Sequence, residues 1–537
     1  MAKGGDIKYN EDMKNWNKQD RFVIGAIGIY IAVMVLIVYT KYINFNYNAL
    51  DLAIYTDAMS HSLDGKLMFS SIQGHNYFGD HFEPIILLLL PVFAAFKSGL
   101  ALLVIQTMAI GASAWPLYLI AKEILSSGNK NLYNDKSEKW GKLIVLLYLL
   151  NPSIWMMNLF EFHALTLALP IIFGWYWVEV RAKREEERGS RKIYFIWFVG
   201  LLILALMVRE DVALLLIPFG VMFWRQKQKK YALITIVLSL IWLVGSLVAI
   251  SLFDQQPAKF VGYFSLEKLV NLGQVELLLG LLLPLAFLPL IKWRYLLLGG
   301  LVYLEYAMLG GLGSIVIRGH YATLFLIPIF VALIYGLKDF VEKKNKVLNW
   351  LGWGVPIILV LATVYSLYYL GPIQVLNKIN RPSEERQEIQ TFLEKVGWNK
   401  TVLASYIFMP YLAGGNNVYS LHYFMLNRQQ YSNKRYITPI EWGYVLLTEA
   451  DLRELALQYQ DHSFYGQFYN QGFERLNYLL LDYNVVESGE GMYLLTKGDG
   501  KKITVQNAPF EGYIELNRVG MTESVIYGEA GIIIVQE

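Results

Sequence analysis

Long apolar segments alternate with short polar ones through roughly the first 370 residues of this 537-residue chain. A helix of about 17–25 apolar residues is long enough to cross a bilayer core of about 30 Å. Hydrocarbon offers the backbone no hydrogen-bond partner, so such segments are stable there only as helices or closed barrels. The pattern predicts an α-helical polytopic membrane protein with about eleven transmembrane helices, near residues 22–40, 100–121, 142–158, 164–180, 193–208, 212–224, 231–253, 275–291, 295–312, 321–337 and 349–370.

The composition agrees with this class. The chain is 55% hydrophobic and 17% charged, whereas soluble domains have about 25% charged residues. It contains no cysteine, which excludes disulfides, thiolate nucleophiles, iron–sulfur clusters and cysteine-based zinc sites. Its basic residues are dispersed among loops without a continuous basic and aromatic surface, so no nucleic-acid partner is predicted.

One apolar segment, residues 85–96, is too short for a full crossing. It lies between Pro84 and the polar sequence Lys97-Ser98-Gly99, and its length is typical of a re-entrant or membrane-edge helix. If it does not cross, the loops on one side of the membrane carry 26 Lys and Arg residues and those on the other side carry 7. The positive-inside rule then predicts a multi-pass plasma-membrane protein with residues 1–21 in the cytoplasm. The first external loop (41–99) and residues 371–537 are predicted to be extracytoplasmic.

Residues 371–537 are predicted to form a separate soluble α/β domain. Two segments, 384–396 and 449–459, have the periodicity of helices. Strands are predicted at 401–405, 417–421, 477–482 and 491–496, with further strands at 512–517 and 524–537. The region has no phosphate-binding glycine loop, so it is not evidently a nucleotide enzyme.

Ionisable residues at the ends of the predicted spans are concentrated on the external side. Ionisable groups near hydrocarbon are costly, which makes them functional-site hypotheses. Each residue alone has a structural explanation: Asp51 as a helix cap, Arg209 with Glu210 as an ion pair. Their concentration in short turns predicts a common pocket. The residues are Asp51, Asp57, Asp80, His81 and Glu83 in the first loop, and Glu161, His163, Arg209, Glu210, Asp211, Arg318, His320 and Tyr321 in later turns.

These side-chain types indicate a particular kind of substrate. A carboxylate serves as a general base or binds a hard divalent cation. Histidine carries protons or binds phosphate oxygens, and arginine grips phosphate with paired hydrogen bonds. The combination at a membrane edge suits a substrate with a lipid tail, a phosphate and a polar head group to be transferred. Soluble nucleotide donors are not maintained outside the cell.

Five short motifs carry a family resemblance across roughly residues 20–340. They are Asn48-Ala49-Leu50-Asp51-Leu52-Ala53-Ile54-Tyr55, Gly79-Asp80-His81-Phe82-Glu83-Pro84, Glu161-Phe162-His163, Arg209-Glu210-Asp211-Val212-Ala213 and His320-Tyr321-Ala322. With them the chain resembles an uncharacterised family of polytopic membrane proteins allied to the GT-C glycosyltransferases. It departs from the protein mannosyltransferase pattern because Leu52, rather than a second acid, follows Asp51.

The resemblance implies a GT-C-like bundle over residues 22–370 and a glycosyltransferase activity. The implied donor is a polyprenyl-phosphate-linked sugar, and the acceptor is an extracytoplasmic glycan, lipid or protein. Asp51 would be the catalytic base, with Asp57 as the rival. Asp80, His81, Glu83 and Pro84 match the motif before the membrane-edge helix, and some relatives need a divalent cation such as Mg²⁺ or Mn²⁺.

The remaining residues receive roles in this hypothesis. Asp80 and His81 would be catalytic residues together with Asp51. With Glu83 they would orient the acceptor or, with Asp51 as well, hold the cation. Arg209, Arg318 and His320 would bind the donor phosphate. Residues that would support the site or contact the acceptor are Asp57, Glu83, Glu161, His163 and Glu210.

Two other functions stay open. A transporter or flippase for lipid-linked glycans predicts ionisable residues in mid-span, where Glu305 is the example in this chain. A non-catalytic assembly protein would not need the acid and histidine cluster at all.

Overall fold

The computed structural model describes residues 18–47, 50–126, 135–184, 191–254, 272–309, 314–342, 354–430, 432–459, 466–514 and 524–536. Most of the predicted N-terminal segment 1–21 therefore lies outside the described residues. Within these ranges the chain is mostly helical.

The helices of the first part are α1 (Lys18–Ile43), α2 (Leu50–Leu63), α3 (Leu90–Phe96), α4 (Gly99–Ala112), α5 (Ala114–Leu125), α6 (Asp135–Leu149), α7 (Pro152–Leu159), α8 (Ala168–Arg184), α9 (Arg191–Leu206), α10 (Val212–Arg225), α11 (Lys229–Asp254), α12 (Leu272–Leu282), α13 (Trp293–Leu296), α14 (Gly300–Leu309), α15 (Ser314–Arg318), α16 (Thr323–Val341) and α17 (Gly354–Tyr369). A short hairpin, β1 (Phe69–Ser70) with β2 (His75–Asn76), lies in the loop after α2.

The second part contains α18 (Pro372–Asn377), α19 (Ser383–Val396), β3 (Thr401–Ala404), α20 (Met409–Leu412), β4 (Asn417–Ser420), α21 (Leu421–Leu426), β5 (Tyr444–Thr448), α22 (Glu449–Tyr459), α23 (Gly466–Leu480), β6 (Tyr483–Gly489), β7 (Met492–Lys497), β8 (Lys502–Ile514) and β9 (Ser524–Gln536).

Four described helices are long and apolar enough to cross a membrane: Asp20–Ile43, Gly99–Leu125, Lys229–Phe253 and His320–Phe340. Two bent pairs, Glu138–Leu149 with Pro152–Leu159 and Leu272–Leu285 with Leu288–Met308, raise the number to six if each pair is one span. The protein is thus a helical membrane protein, but four to six candidate spans are fewer than the eleven predicted from the sequence. Several of the predicted segments form shorter helices: Lys192–Leu206, Val212–Arg225 and Gly354–Tyr369 have 10–17 residues each.

The segment after Pro84 is as short as its sequence indicates. It runs as a 3₁₀ helix over Pro84–Leu89 and continues as α3, which ends at Lys97 in a left-handed conformation with φ 45°. At about 2.0 Å and 1.5 Å per residue, these 13 residues extend roughly 22 Å, less than the hydrocarbon core. The backbone N–H of Ile85 donates to the Met207 carbonyl (3.0 Å), which fixes the start of the segment to the end of α9.

Five strands of the second part form one mixed sheet in the order β4-β3-β5-β7-β6. β3 pairs in parallel with β4 and β5, and β7 pairs antiparallel with β5 and β6. The predicted helices at 384–396 and 449–459 are present as α19 and α22. The strand predicted at 477–482 is wrong over its whole length. α23 continues to Leu480, with Phe473, Leu476 and Leu480 on one buried face, and a turn at 481–482 precedes β6.

The loop after α2 is in direct contact with this second part. Ser71 donates its hydroxyl hydrogen to the Val418 carbonyl (2.8 Å), and the Tyr436 hydroxyl donates to the Ser71 carbonyl (2.7 Å). The Gln73 amide donates to the side-chain oxygen of Gln430 (2.7 Å). The loop is therefore held between the helices and the sheet, and it is this loop that carries much of the predicted site.

Candidate functional site

The first turn of α2 places Asp51 at the mouth of the site. An acid is favoured there by the helix dipole. The Glu161 carboxylate accepts a hydrogen bond from the backbone N–H of Leu52 (2.7 Å), which satisfies one of the free donors at the start of the helix. The Asp51 side chain remains 39% exposed. Glu161 thus caps α2 from the turn after α7, and this leaves the Asp51 carboxylate available.

His163 lies against Asp51. Its Nε2 is 3.3 Å from Asp51 Oδ2, and its Nδ1 is 3.2 Å from the Glu161 carbonyl oxygen. A carbonyl only accepts, so Nδ1 carries the hydrogen. The hydrogen bond between Nε2 and the carboxylate then needs a second proton, carried either by the imidazole or by Asp51. The backbone N–H of His163 donates to Gln106 Oε1 (2.8 Å), which fixes the turn.

His320 stacks on His163. The ring centroids are 3.4 Å apart and the rings are 14° from parallel, with Phe160 on the other side of His163 at 5.5 Å. Two positive charges at that separation repel by about 5 kcal/mol at an effective dielectric constant of about 20. The pair therefore holds at most one positive charge near neutral pH. His320 is buried, and its Nδ1 makes no hydrogen bond to the residues that the structure describes.

Glu83 occupies a buried tyrosine pocket behind this pair. Its Oε2 accepts hydrogen bonds from the hydroxyls of Tyr55 and Tyr77, both at 2.8 Å. Burial raises the pKa of Glu83, although the charges of His81 and Arg209 act in the opposite direction. The Tyr55 ring lies 5.9 Å from His163, so the pocket adjoins the Asp51–His163 pair. Both tyrosines were missed in the sequence analysis. Tyr55 could have been identified, because it lies one helical turn after Asp51 and so on the same face of α2.

His81 pairs with Glu210 across the site. Its Nδ1 is 2.7 Å from Glu210 Oε1, while the backbone N–H of Phe82 donates to Glu210 Oε2 (3.0 Å). Burial lowers the pKa of His81, but the Glu210 carboxylate outweighs burial and brings this pKa to about 9. The imidazole is therefore a cation at neutral pH. The ion pair joins the first loop to the turn between α9 and α10.

Arg209 in the same turn pairs with Asp211 rather than with Glu210. Its Nε donates to Asp211 Oδ1 (2.8 Å) and its terminal nitrogen to the second oxygen and to the Tyr306 hydroxyl (2.7 Å). All three residues are buried. Tyr321 connects them to the histidines, since its ring lies 5.4 Å from Tyr306 and 3.9 Å from His320.

The remaining acids of the first loop have structural partners. Asp57 is fully buried and accepts hydrogen bonds from the Ser70 hydroxyl (2.8 Å) and the backbone N–H of Ile72 (3.2 Å). Ser71 Oγ lies 3.0 Å and His61 Nδ1 lies 3.2 Å from the same carboxylate. Asp80 is also buried, and its carboxylate accepts from the Gln73 amide (3.1 Å). Both carboxylates organise the loop from within.

Arg318 is at the end of α15 and is partly buried. Arg318 and Met156 both lie beside Gly371: a Cβ at Gly371 would be 3.8 Å from Arg318 Nε and 3.9 Å from the Met156 sulfur.

The four candidate metal ligands have different hydrogen-bond partners. Asp51 contacts His163, Asp80 contacts Gln73, His81 contacts Glu210, and Glu83 contacts two tyrosines. Among the described residues, no group of three or more His, Asp and Glu side chains is placed to hold a metal ion. These side chains as arranged do not fit a divalent cation, which stays a prediction of the sequence.

The contacts therefore form one connected site. It runs from Asp51 through His163 and His320 to Tyr321, Tyr306 and Arg209, and from Glu210 to His81.

The profile of a family described as predicted membrane protein (DUF2079) matches residues 41–463, which is more than half of the chain. The chain belongs to this family. The matched range contains every residue of the site and extends into the sheet region. No curated protein matches the chain.

Proposed function

We propose that the protein is an integral membrane glycosyltransferase that moves a sugar from a polyprenyl-phosphate donor to an extracytoplasmic acceptor. The contrast between two carboxylates carries the proposal. Asp51 is 39% exposed beside His163, whereas Asp57 is fully buried among hydrogen-bond donors. A general base must reach the substrate hydroxyl. Of these two acids, Asp51 has the access that the role requires.

The proposed topology follows the GT-C resemblance. It has eleven crossings over residues 22–370, the N-terminus in the cytoplasm, and the site on the external side. The distribution of Lys and Arg, 26 on one side against 7 on the other, supports this orientation. The short segment Pro84–Phe96 would lie at the membrane edge, as its length suggests. Residues 371–537 would be an external α/β domain that covers the first loop, a role supported by the contacts of Ser71 and Gln73 with residues 418–436.

The reaction is an inverting displacement at the anomeric carbon. The Asp51 carboxylate takes the proton of the acceptor hydroxyl, and the acceptor oxygen forms a bond to that carbon. The bond between the anomeric carbon and the phosphate oxygen breaks, and its electron pair leaves with the lipid phosphate. His163 holds the Asp51 carboxylate in place through Nε2, and an imidazolium there would stabilise the charged base before proton transfer.

The leaving phosphate requires a positive partner. The Arg209 charge is already balanced by Asp211, so in this proposal Arg209 contributes through the rigidity of the turn. Arg318, which is partly exposed at the end of α15, is the better candidate for direct contact with the phosphate. His320 is stacked against His163 and would meet the phosphate as a neutral hydrogen-bond donor.

The test measures donor cleavage by the purified full-length protein in nanodiscs. The probes are farnesyl-phosphate-linked mannose, glucose and galactose, each incubated with total envelope glycan from the producing cells. Released farnesyl phosphate is measured by mass spectrometry. Asp51→Asn is expected to lower the rate by about 10²–10⁴-fold, the usual contribution of a general base.

Asp64→Asn is the matched control, because Asp64 is an exposed carboxylate just after the same helix. It should retain the wild-type rate. An Asp51→Asn protein that melts like wild type and cleaves the donor equally fast would overturn the role of Asp51. Intact donor that moves across a liposome membrane instead would favour the transporter. If none of the three donors is cleaved and none is moved, the result would favour an assembly protein.

A further inference from the structure

A small cavity lies between the starts of α9 and α11, away from the site around Asp51. Its volume is about 270 Å³, and it is lined by Lys192, Phe195, Ile196, Lys230 and Tyr231. The two lysines come from different helices and meet at the same cavity. Any ligand that enters it will meet two ammonium groups.

The Lys230 ammonium is held in place by an aromatic ring. It lies 3.5 Å from the centroid of the Phe195 ring, a cation–π contact that limits where this flexible side chain can go. Neither Lys230 nor Lys192 forms an ion pair or hydrogen bond with another residue in the described ranges. Arg225, Lys227 and Lys229 are nearby in sequence and add positive charge. The charge of the cavity thus favours an anion.

The surroundings of the cavity are apolar, and the cavity lies at the start of a candidate membrane span. Lys229 begins a helix that is long and apolar enough to span a bilayer. Large side chains beside the cavity are exposed: Ile193 by 55%, Ile196 by 69% and Leu233 by 57%. Exposed apolar surface of this kind is expected to face lipid chains. A ligand that matches both the lysines of the cavity and the apolar side chains around it has an anionic head group and hydrocarbon tails.

We propose that Lys192 and Lys230 bind the phosphate of an anionic membrane phospholipid in this cavity. The lipid chains pack along Ile196 and the outer faces of α9 and α11, and Phe195 holds the Lys230 ammonium towards the phosphate. Basic pockets between membrane helices on the cytoplasmic side commonly bind lipid head groups in this way. The inference does not depend on the proposed glycosyltransferase activity.

The experiment is native mass spectrometry of the full-length protein in detergent, titrated separately with phosphatidylglycerol, phosphatidylcholine and inorganic phosphate. Each lysine near an anionic lipid contributes roughly five-fold in affinity, so the double variant Lys192→Gln, Lys230→Gln should bind phosphatidylglycerol about 30-fold more weakly. Phe195→Leu keeps every charge but removes the ring, and should weaken binding by about two- to five-fold.

The matched control is the double variant Lys66→Gln, Lys400→Gln, which removes the same charge at exposed lysines elsewhere. It should retain wild-type affinity. Equal binding of phosphatidylglycerol and phosphatidylcholine, or an unchanged affinity in the cavity variant that melts like wild type, would overturn the proposal. Tight binding of inorganic phosphate without binding of phosphatidylglycerol would show an anion site and refute the lipid.

Discussion

The imidazole rings of His163 and His320 lie face to face with their centroids 3.4 Å apart. They come from turns separated by well over a hundred residues, and one of them also contacts the exposed acid Asp51. Because two imidazolium ions are not stable at this distance, protonation of one ring opposes protonation of the other. The ring of His320 is thus coupled, through His163, to the surroundings of Asp51.

Replacement of His320 by phenylalanine tests this pairing. His320→Phe keeps an aromatic ring on His163 and breaks no side-chain hydrogen bond of Nδ1 to a described residue. We expect a melting temperature within a few degrees of wild type, with donor cleavage lowered and its pH dependence shifted, because the repulsion between two charged rings in the stack is then removed. His320→Ala, which removes the stacked ring, should melt lower. A pH profile identical to wild type would contradict the coupling.

Asp57 and Asp51 should differ sharply in their effect on stability. Asp57→Ala leaves the Ser70 hydroxyl and the backbone N–H of Ile72 without their buried acceptor. The expected loss is about 3–5 kcal/mol in the free energy of unfolding. Asp51→Ala, at an exposed position, should cost about 1 kcal/mol or less. Unfolding in detergent, followed by tryptophan fluorescence, measures both; equal losses would refute the structural role of Asp57.

The His81–Glu210 pair predicts a loss of stability at alkaline pH. Burial lowers the pKa of His81, but Glu210 and Asp80 outweigh burial and raise this pKa from the ordinary value of about 6.5 to about 9. The folded state therefore favours the protonated ring. This contribution is fully present below about pH 6.5 and disappears as the pH rises through 9. The charged groups around the ring are Asp80 and Glu210, which favour protonation, and Arg209, which opposes it.

The measurement is the melting temperature between pH 6 and pH 10. Wild type should fall more steeply than His81→Gln, which cannot titrate. Parallel curves for the two proteins would show that the pair does not contribute.

Arg209 should not tolerate lysine. Its planar guanidinium donates to both oxygens of Asp211 and to the Tyr306 hydroxyl, and a lysine cannot reproduce this fork. Arg209→Lys is expected to lower stability by about 2 kcal/mol. Arg225→Lys, at an exposed arginine, is the control and should be neutral. A neutral Arg209→Lys would mean that the paired geometry contributes little.

The sequence was informative where the pattern is local. Apolar runs identified a helical membrane protein, and the length of 85–96 predicted a segment too short to cross. The number of spans was less predictable, because composition does not show where an apolar run breaks into shorter helices. The strand predicted at 477–482 is wrong for a related reason: Leu480 continues the buried face that Phe473 and Leu476 begin, so the segment is the last turn of α23.

The members of the site were predictable, but their partners were not. Asp51, His163, His81 and Glu210 were predicted because acids and histidines are concentrated in short turns. The structure pairs Asp51 with His163 and His81 with Glu210. Sequence spacing could not separate Asp51 from Asp57, because the hydroxyls around Asp57 come from the following hairpin. Nor could it show that Glu161 caps a helix 109 residues away.

The contact of Tyr436 with the first loop has a consequence for biosynthesis. Gly74 adopts φ 81°, and a Cβ at this position would lie 2.8 Å from the Tyr436 ring, while Ser71 bonds to a carbonyl 347 residues further along the chain. The loop therefore cannot reach its final shape until nearly the whole polypeptide has left the ribosome. A truncated chain would insert its early helices and still display an unfinished loop, which quality-control proteases can recognise and remove.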